Sequence, residues 1–281
     1  MDELRRKLDE LKRAGPTRLA ATGGAAPSPA GSHRPAAPRH DHAASLADVL
    51  GGRQIEVSGG CCWLVESAAC ITRPLPRQVR FEDAPVIVRR SRAASARRGE
   101  HPDGDLEWGR VILLDLETGG FSGTPVFLVG VLRFEADSPA IEQYLVRDYP
   151  EEAAVLRAFA AVVRERDVWV SFNGRSFDEP FLRDRAVRHR VTLPLPREHL
   201  DVLHLARRRW GRDLPNCKLT TLERCILGRE RFGDVPGCDI PDLFHHFVRT
   251  GNARPLRPIL EHNRLDLLAT LELLLRLGEH A

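Results

Sequence analysis

The sequence has 281 residues, which is enough for one sizeable α/β core plus an appendage or for two small domains. No run of eighteen apolar residues occurs and the first fifteen residues are charged throughout, so the composition argues against a transmembrane helix and a secretory signal and predicts a cytoplasmic protein. The net charge of +3 does not by itself indicate a nucleic-acid-binding protein, although arginines, which match phosphate groups well, cluster at Arg89–Arg98 and Arg207–Arg212.

The first 108 residues predict two segments that precede the main domain. Residues 1–45 predict a short charged helix, with leucines at helical spacing in residues 1–14, followed by an Ala/Pro-rich linker that cannot bury a core. Residues 46–108 predict a small appendage or an extension of the main sheet. Short strands are expected there at Ile55–Val57, Trp63–Val65 and Pro85–Val88.

Residues 109–281 have the pattern of a larger α/β domain. Apolar runs predict a buried strand at Arg110–Leu116 and two strands that follow it after short connections, which indicates an antiparallel meander. The second to fourth strands are predicted at Val126–Phe134, Ala140–Val146 and Val168–Ser171. Helical periodicity predicts helices at Glu151–Arg164, Asp178–His189, Leu200–Arg209, Leu219–Leu227, Pro241–Thr250 and Ile259–Leu277.

Two acidic residues stand at the end of the first predicted strand of this domain. Asp115 and Glu117 are two positions apart, so their side chains point to the same face of the strand. Neighbouring carboxylates repel each other unless a cation lies between them, and a divalent metal ion would serve this purpose. A solvated strand end whose acids meet arginines is the alternative interpretation.

Two more acidic residues follow, one at the start of a predicted helix and one on the face of another. Asp178 lies near the N-terminus of a helix, where its charge is favoured, and a simple helix cap is the alternative. His262 and Asp266 are four residues apart and therefore share one face of the last helix. For that pair, the alternative is an ordinary surface His–Asp contact.

Taken in order, the three acidic segments resemble the three motifs of the DnaQ-like, or DEDD, 3′–5′ exonucleases of the ribonuclease H-like superfamily. The residues that carry the resemblance are Asp115 and Glu117, then Asn173, Phe177, Asp178 and Pro180, then His262 and Asp266. His262 stands at the spacing of the tyrosine in the Tyr-type branch of that family. More narrowly, the chain is similar to bacterial YprB-type ribonuclease H-like proteins. The resemblance covers residues 109–278 and implies a mixed five-stranded sheet flanked by helices.

The resemblance also implies a two-metal phosphodiester hydrolysis. Carboxylate ligands suit Mg²⁺ or Mn²⁺, and two such ions would be held by Asp115, Glu117, Asp178 and Asp266. Asp115 would bridge the ions, and His262 would orient or deprotonate the attacking water. The expected substrate-binding residues are Thr118, Gly119, Phe121 and Asn173.

The expected activity is 3′–5′ exonuclease cleavage of single-stranded DNA or RNA ends. Two alternatives remain at this point: a nucleic-acid-binding module without catalysis, and a structure-specific endonuclease on the same fold. Clustered carboxylates beside phosphates favour an enzyme over a binding module, because without metal ions they would repel the ligand.

Overall fold

The computed structural model describes residues 45–71, 78–80, 105–120, 123–135, 138–166 and 168–279. Five sequence predictions therefore lie wholly or almost wholly outside the described residues. These are the helix in residues 1–14, the Ala/Pro-rich linker that follows it, the strand Pro85–Val88, the basic run Arg89–Arg98 and the contact predicted for Phe121.

A seven-stranded mixed sheet is the centre of the fold, with the strand order β1-β2-β7-β6-β5-β8-β9. Its strands are β1 (Arg53–Val57), β2 (Gly60–Ala68), β5 (Val111–Thr118), β6 (Val126–Glu135), β7 (Ser138–Leu145), β8 (Val168–Ser171) and β9 (Glu198–Asp201). A separate antiparallel pair joins β3 (Gln78–Arg80) to β4 (Asp105–Glu107).

The predicted α/β class and the antiparallel meander are confirmed. Strands β5, β6 and β7 pair antiparallel, and β8 and β9 then add to β5 in parallel. The sheet has two strands beyond the predicted five, because β1 and β2 extend it along the edge of β7. The proposed domain boundaries at residues 45 and 108 stay predictions.

One predicted helix begins later than its sequence pattern indicates. The sequence predicts that this helix begins at Leu200. The chain is instead extended through Asp201 as β9, and the helix begins at Val202. The Asp201 side chain accepts a hydrogen bond from the Leu203 N–H, so this carboxylate caps the new helix. Apolar residues at both helical and strand spacing hid the boundary.

The helices cover both faces of the sheet. They are α1 (Leu46–Leu50), α2 (Glu152–Val162), α3 (Asp178–Arg188), α4 (Val202–Trp210), α5 (Leu219–Leu222), α6 (Ile240–Thr250) and α7 (Leu256–Glu279). A π-helical turn, Glu223–Leu227, follows α5. Helix α6 ends at Gly251, whose φ of 71° is the left-handed conformation that glycine adopts at little cost.

Alternating side chains of β5 enter two apolar clusters on opposite faces of the sheet. Ile112 and Leu114 pack in the cluster that also contains residues of α2 and α6. Val111 and Leu113 pack in the cluster formed with α4 and the C-terminal half of α7. Each fully buried aliphatic side chain contributes about 1.5–3 kcal/mol, so β5 is fixed firmly between its neighbours. Asp115 and Glu117 continue the second of these faces beyond the apolar cluster.

No helix among the described residues is long and apolar enough to cross a membrane. The predicted cytoplasmic location stays a prediction.

Candidate active site

The first two predicted site residues extend from the carboxyl end of the central strand β5. Asp115 lies opposite Gly130 of β6, and Glu117 lies opposite Leu128 just before an irregularity in the β5–β6 register. Both side chains are half-buried, whereas their neighbours Leu114 and Leu116 are buried on the other face. The alternation of the strand therefore directs the two carboxylates to one face, as the sequence predicts.

The third residue, Asp178, reaches the end of β5 from the first turn of α3. It is 5% exposed, and its carboxylate accepts hydrogen bonds from its own N–H and from the Leu116 N–H. The carboxylate is thus tied to the main chain of β5 between Asp115 and Glu117. Gly174 permits this approach, because a Cβ at that position would lie 2.8 Å from Asp178 Oδ2.

The fourth residue, Asp266 on α7, is paired with an arginine that the sequence did not single out. Its Oδ1 lies 2.5 Å from Nη1 of Arg231, in the loop between the π-helical turn and α6. Arg231 also contacts Glu223 at 2.8 Å and Asp234 at 3.1 Å, and its side chain is only 9% exposed. One buried guanidinium therefore holds three carboxylates.

His262 lies beside Asp266, as the four-residue spacing predicts, but its shortest contact is elsewhere. The distance from His262 Nε2 to Asp266 Oδ2 is 3.8 Å. His262 Nδ1 lies 2.9 Å from Asp234 Oδ1, which fixes the orientation of the ring. The ring nitrogen nearest Asp266 is thus Nε2, while Asp234 holds the other nitrogen.

The charges of the four acids act on one another. Burial raises the pKa of Asp115 well above its usual value, and the charges of Asp266, Glu117 and Asp178 raise it further. Burial followed by the charges of Asp266 and Asp178 likewise raises the pKa of Glu117. Burial, partly offset by the two main-chain hydrogen bonds, raises the pKa of Asp178 to about 7. These carboxylates resist ionising together without a cation.

The remaining predicted residues form the turns around this centre. The Thr118 hydroxyl donates to the Gly120 carbonyl at 3.0 Å, and the Gly119 N–H donates to the Pro125 carbonyl at 2.9 Å. Asn173 has a left-handed φ of 66°, and its N–H donates to Asp201 at 2.9 Å. Asn173 is therefore a turn residue held by a capping carboxylate, and its predicted role in substrate binding stays a prediction.

Sequence reasoning missed Arg231, Asp234 and Asn263. The Asn263 side chain is fully buried and donates from Nδ2 to Oδ2 of Asp115 at 2.8 Å. Its signal was available, since Asn263 interrupts the apolar stripe of α7 at helical spacing from Ile259 and Leu267. Arg231 and Asp234 lie in a loop without periodicity, so no local pattern distinguishes them.

Divalent ions suit this donor set, because all four converging groups are carboxylates and Mg²⁺ and Mn²⁺ prefer oxygen ligands. Across the residues that the structure describes, no group of three or more His, Cys, Asp or Glu side chains has an arrangement that could hold a metal ion as it stands. Coordination of an ion would therefore need these carboxylates to rotate toward one another.

Comparison with known proteins identifies the class. Residues 112–277 match the family model described as the RNase_H superfamily, which spans more than half of the chain, and the chain belongs to this superfamily. The expected ribonuclease H-like fold is thereby confirmed.

Two individual proteins show how far the similarity extends. The chain is 32% identical over 174 residues to the uncharacterized protein YprB of Bacillus subtilis (strain 168), in an alignment that covers 60% of this chain and 42% of YprB. The chain therefore matches less than half the length of this curated relative. A family B DNA polymerase from the hyperthermophilic archaeon Pyrobaculum calidifontis has a TM-score of 0.50 at 18% identity, covering 77% of this chain and 29% of the polymerase. At that identity the likeness shows the fold alone.

Proposed function

We propose that this protein is a DnaQ-like (DEDD) 3′–5′ exonuclease that hydrolyses phosphodiester bonds at single-stranded nucleic-acid ends with two Mg²⁺ or Mn²⁺ ions. The observation that carries the proposal is the convergence of four carboxylates from three separate elements. Asp115 and Glu117 come from β5, Asp178 from α3 and Asp266 from α7. Burial, and after it the charges of the other three acids, raises the pKa of Asp115, which supports a site built for cations.

The four carboxylates would hold the ions, which when bound supply Lewis-acid stabilisation of the scissile phosphate and a hydroxide nucleophile. In this mechanism His262 orients the attacking water through Nε2 and accepts its proton, since Asp234 occupies Nδ1. A carboxylate partner on Nδ1 favours the tautomer that leaves Nε2 as the acceptor.

The turns next to the acids would receive the end of a nucleic-acid strand. Thr118 and Gly119 lie at the end of β5, directly after the acidic pair. Their main chain would approach the terminal sugar, Phe121 would stack on the terminal base, and Asn173 would line the strand from the opposite turn. A binding module without catalysis is a weaker explanation, because four clustered acids would repel a phosphate backbone when no cation is present.

The test uses DNA and RNA oligonucleotides labelled at the 3′ or the 5′ end, incubated with the full chain in Mg²⁺, Mn²⁺ or EDTA. A stepwise ladder from the 3′ end that requires metal and is lost in Asp115→Ala supports the proposal. Asp213→Ala, an exposed acid outside the cluster, serves as the matched control and should cleave normally. Binding without cleavage under every condition would reject the proposal, and internal cuts would favour the endonuclease alternative.

A further inference from the structure

A buried amide on α7 contacts Asp115 at two atoms. Asn263 donates from Nδ2 to the Asp115 carbonyl oxygen at 3.1 Å and to its carboxylate Oδ2 at 2.8 Å. The Asn263 side chain is completely buried. The contact fixes the Asp115 side chain relative to its own main chain, so the carboxylate has little freedom to rotate.

A second buried amide fixes which end of Asn263 faces Asp115. Gln143 of β7 is 3% exposed, and its Nε2 donates to the Leu260 carbonyl at 2.7 Å and to Asn263 Oδ1 at 2.9 Å. The carbonyl oxygens of Leu260 and Asp115 can only accept hydrogen bonds, so the side-chain amide next to each of them must present its nitrogen. The order Leu260, Gln143, Asn263, Asp115 therefore has one satisfactory orientation of both amides.

The space for Asn263 comes from a glycine on the neighbouring strand. Gly130 lies directly opposite Asp115 in the β5–β6 register. A Cβ at Gly130 would be 1.9 Å from Asn263 Oδ1, which is closer than any non-bonded contact allows. Any other residue at position 130 would push the amide away from Asp115.

We infer that Asn263 is a positioning residue for Asp115, and that Gln143 acts on Asp115 only through Asn263. The inference rests on the proposed function, because it concerns the ligand that would bridge the two ions. An amide donates a hydrogen bond but carries no charge, so Asn263 holds the Asp115 carboxyl group without taking the place of a cation beside it. The Asp115 Oδ1 atom takes no part in the Asn263 contact. The arrangement thus presents one carboxylate oxygen in a fixed direction while the other is held.

The experiment measures Mn²⁺ binding to the full chain by electron paramagnetic resonance, together with kcat and KM on a labelled oligonucleotide. Asn263→Ala should raise the Kd for Mn²⁺ and lower kcat by about 10–100-fold each, the usual effect of removing a group that orients a metal ligand. KM for the oligonucleotide should stay unchanged, because Asn263 is buried behind Asp115. Gln143→Leu should also raise the Kd for Mn²⁺ and lower kcat, but by a smaller factor than Asn263→Ala.

The double variant separates a relay from two independent structural effects. If Gln143 acts through Asn263, adding Gln143→Leu to Asn263→Ala should leave the Kd for Mn²⁺ where Asn263→Ala alone puts it. Thr270→Val, at another buried polar position on α7, is the matched control and should bind Mn²⁺ like the unmodified chain. Circular dichroism confirms that each variant is folded before binding is measured.

The outcomes distinguish the two proposals. Mn²⁺ binding with the expected variant pattern but no cleavage supports the positioning role and rejects the exonuclease. Cleavage with an unchanged Kd and kcat in folded Asn263→Ala rejects the positioning role and leaves the exonuclease standing. Additive losses in the double variant reject the role of Gln143 through Asn263. An unmodified chain that binds no Mn²⁺ overturns both proposals.

Discussion

The two sides of the acidic site are held by different chemistry. On the amide side, Asp115 is held by Asn263 and Asp178 by main-chain N–H groups, all neutral donors. On the arginine side, Asp266 and Asp234 are held by the buried guanidinium of Arg231. These contacts give the amide side no compensating positive charge, whereas Arg231 compensates the acids of the arginine side. A divalent cation would gain most from the amide side and would have to compete with Arg231 for Asp266.

The largest expected effect comes from removing the guanidinium group of Arg231 from the arginine side. Arg231→Gln should lower the free energy of unfolding by about 3–5 kcal/mol, because buried carboxylates lose their partner. Urea unfolding in EDTA measures it. The matched control is Arg264→Gln, whose pair with the exposed Glu261 should be worth under about 1 kcal/mol. Equal losses in the two variants would show that the arginine side is not compensated by Arg231.

His262 contacts Asp234 of the arginine side and is the proposed acceptor of the proton from water. His262→Ala should reduce the single-turnover cleavage rate by about 100-fold or more, since a positioned general base contributes at least that much. His246→Ala, a histidine on α6, is the control and should retain the full rate. Unchanged cleavage by His262→Ala would reject a role for this ring in activating water.

The amide side should make stability depend on pH. Because the pKa of Asp178 is raised to about 7, its contribution to stability is fully present below pH 4 and is lost as the pH rises through 7. In EDTA, the free energy of unfolding of the unmodified chain should fall relative to Asp178→Asn by on the order of 4 kcal/mol between pH 4 and pH 8. Mg²⁺ should abolish this fall in stability with pH. A pH-independent difference in EDTA would contradict the raised pKa of Asp178.

The smallest expected effect is on the free energy of unfolding when one acid from each side is replaced by asparagine. Without divalent ions, Asp115→Asn should raise the free energy of unfolding by about 1 kcal/mol, because it removes a buried charge that its neighbours repel. Asp266→Asn should lower it by a similar amount, about 1 kcal/mol, because Arg231 loses a charged partner. Thermal unfolding in EDTA gives both values. Shifts of the same sign would remove the distinction between the two sides.

Most of the fold was predictable because its signals are local. The apolar run of β5 and the helical periodicity of α2, α3 and α7 locate these elements within a few residues. Strand β9 was missed, because Glu198–Asp201 contains a single apolar residue, Leu200, and so gives no strand pattern. The spacing of Asp115 and Glu117, and of His262 and Asp266, likewise follows from strand and helix periods alone.

The sequence by itself determined which acids point the same way within each element, because side-chain direction follows the backbone period. Only the tertiary structure decided what each acid meets. Arg231 is 35 residues from Asp266 in the chain, and Gln143 is 120 residues from Asn263, so no local pattern relates them. Packing of α7 on β5 and of the 228–236 loop beside α7 brings them together, and these contacts put Asp115 on the amide side and Asp266 on the arginine side.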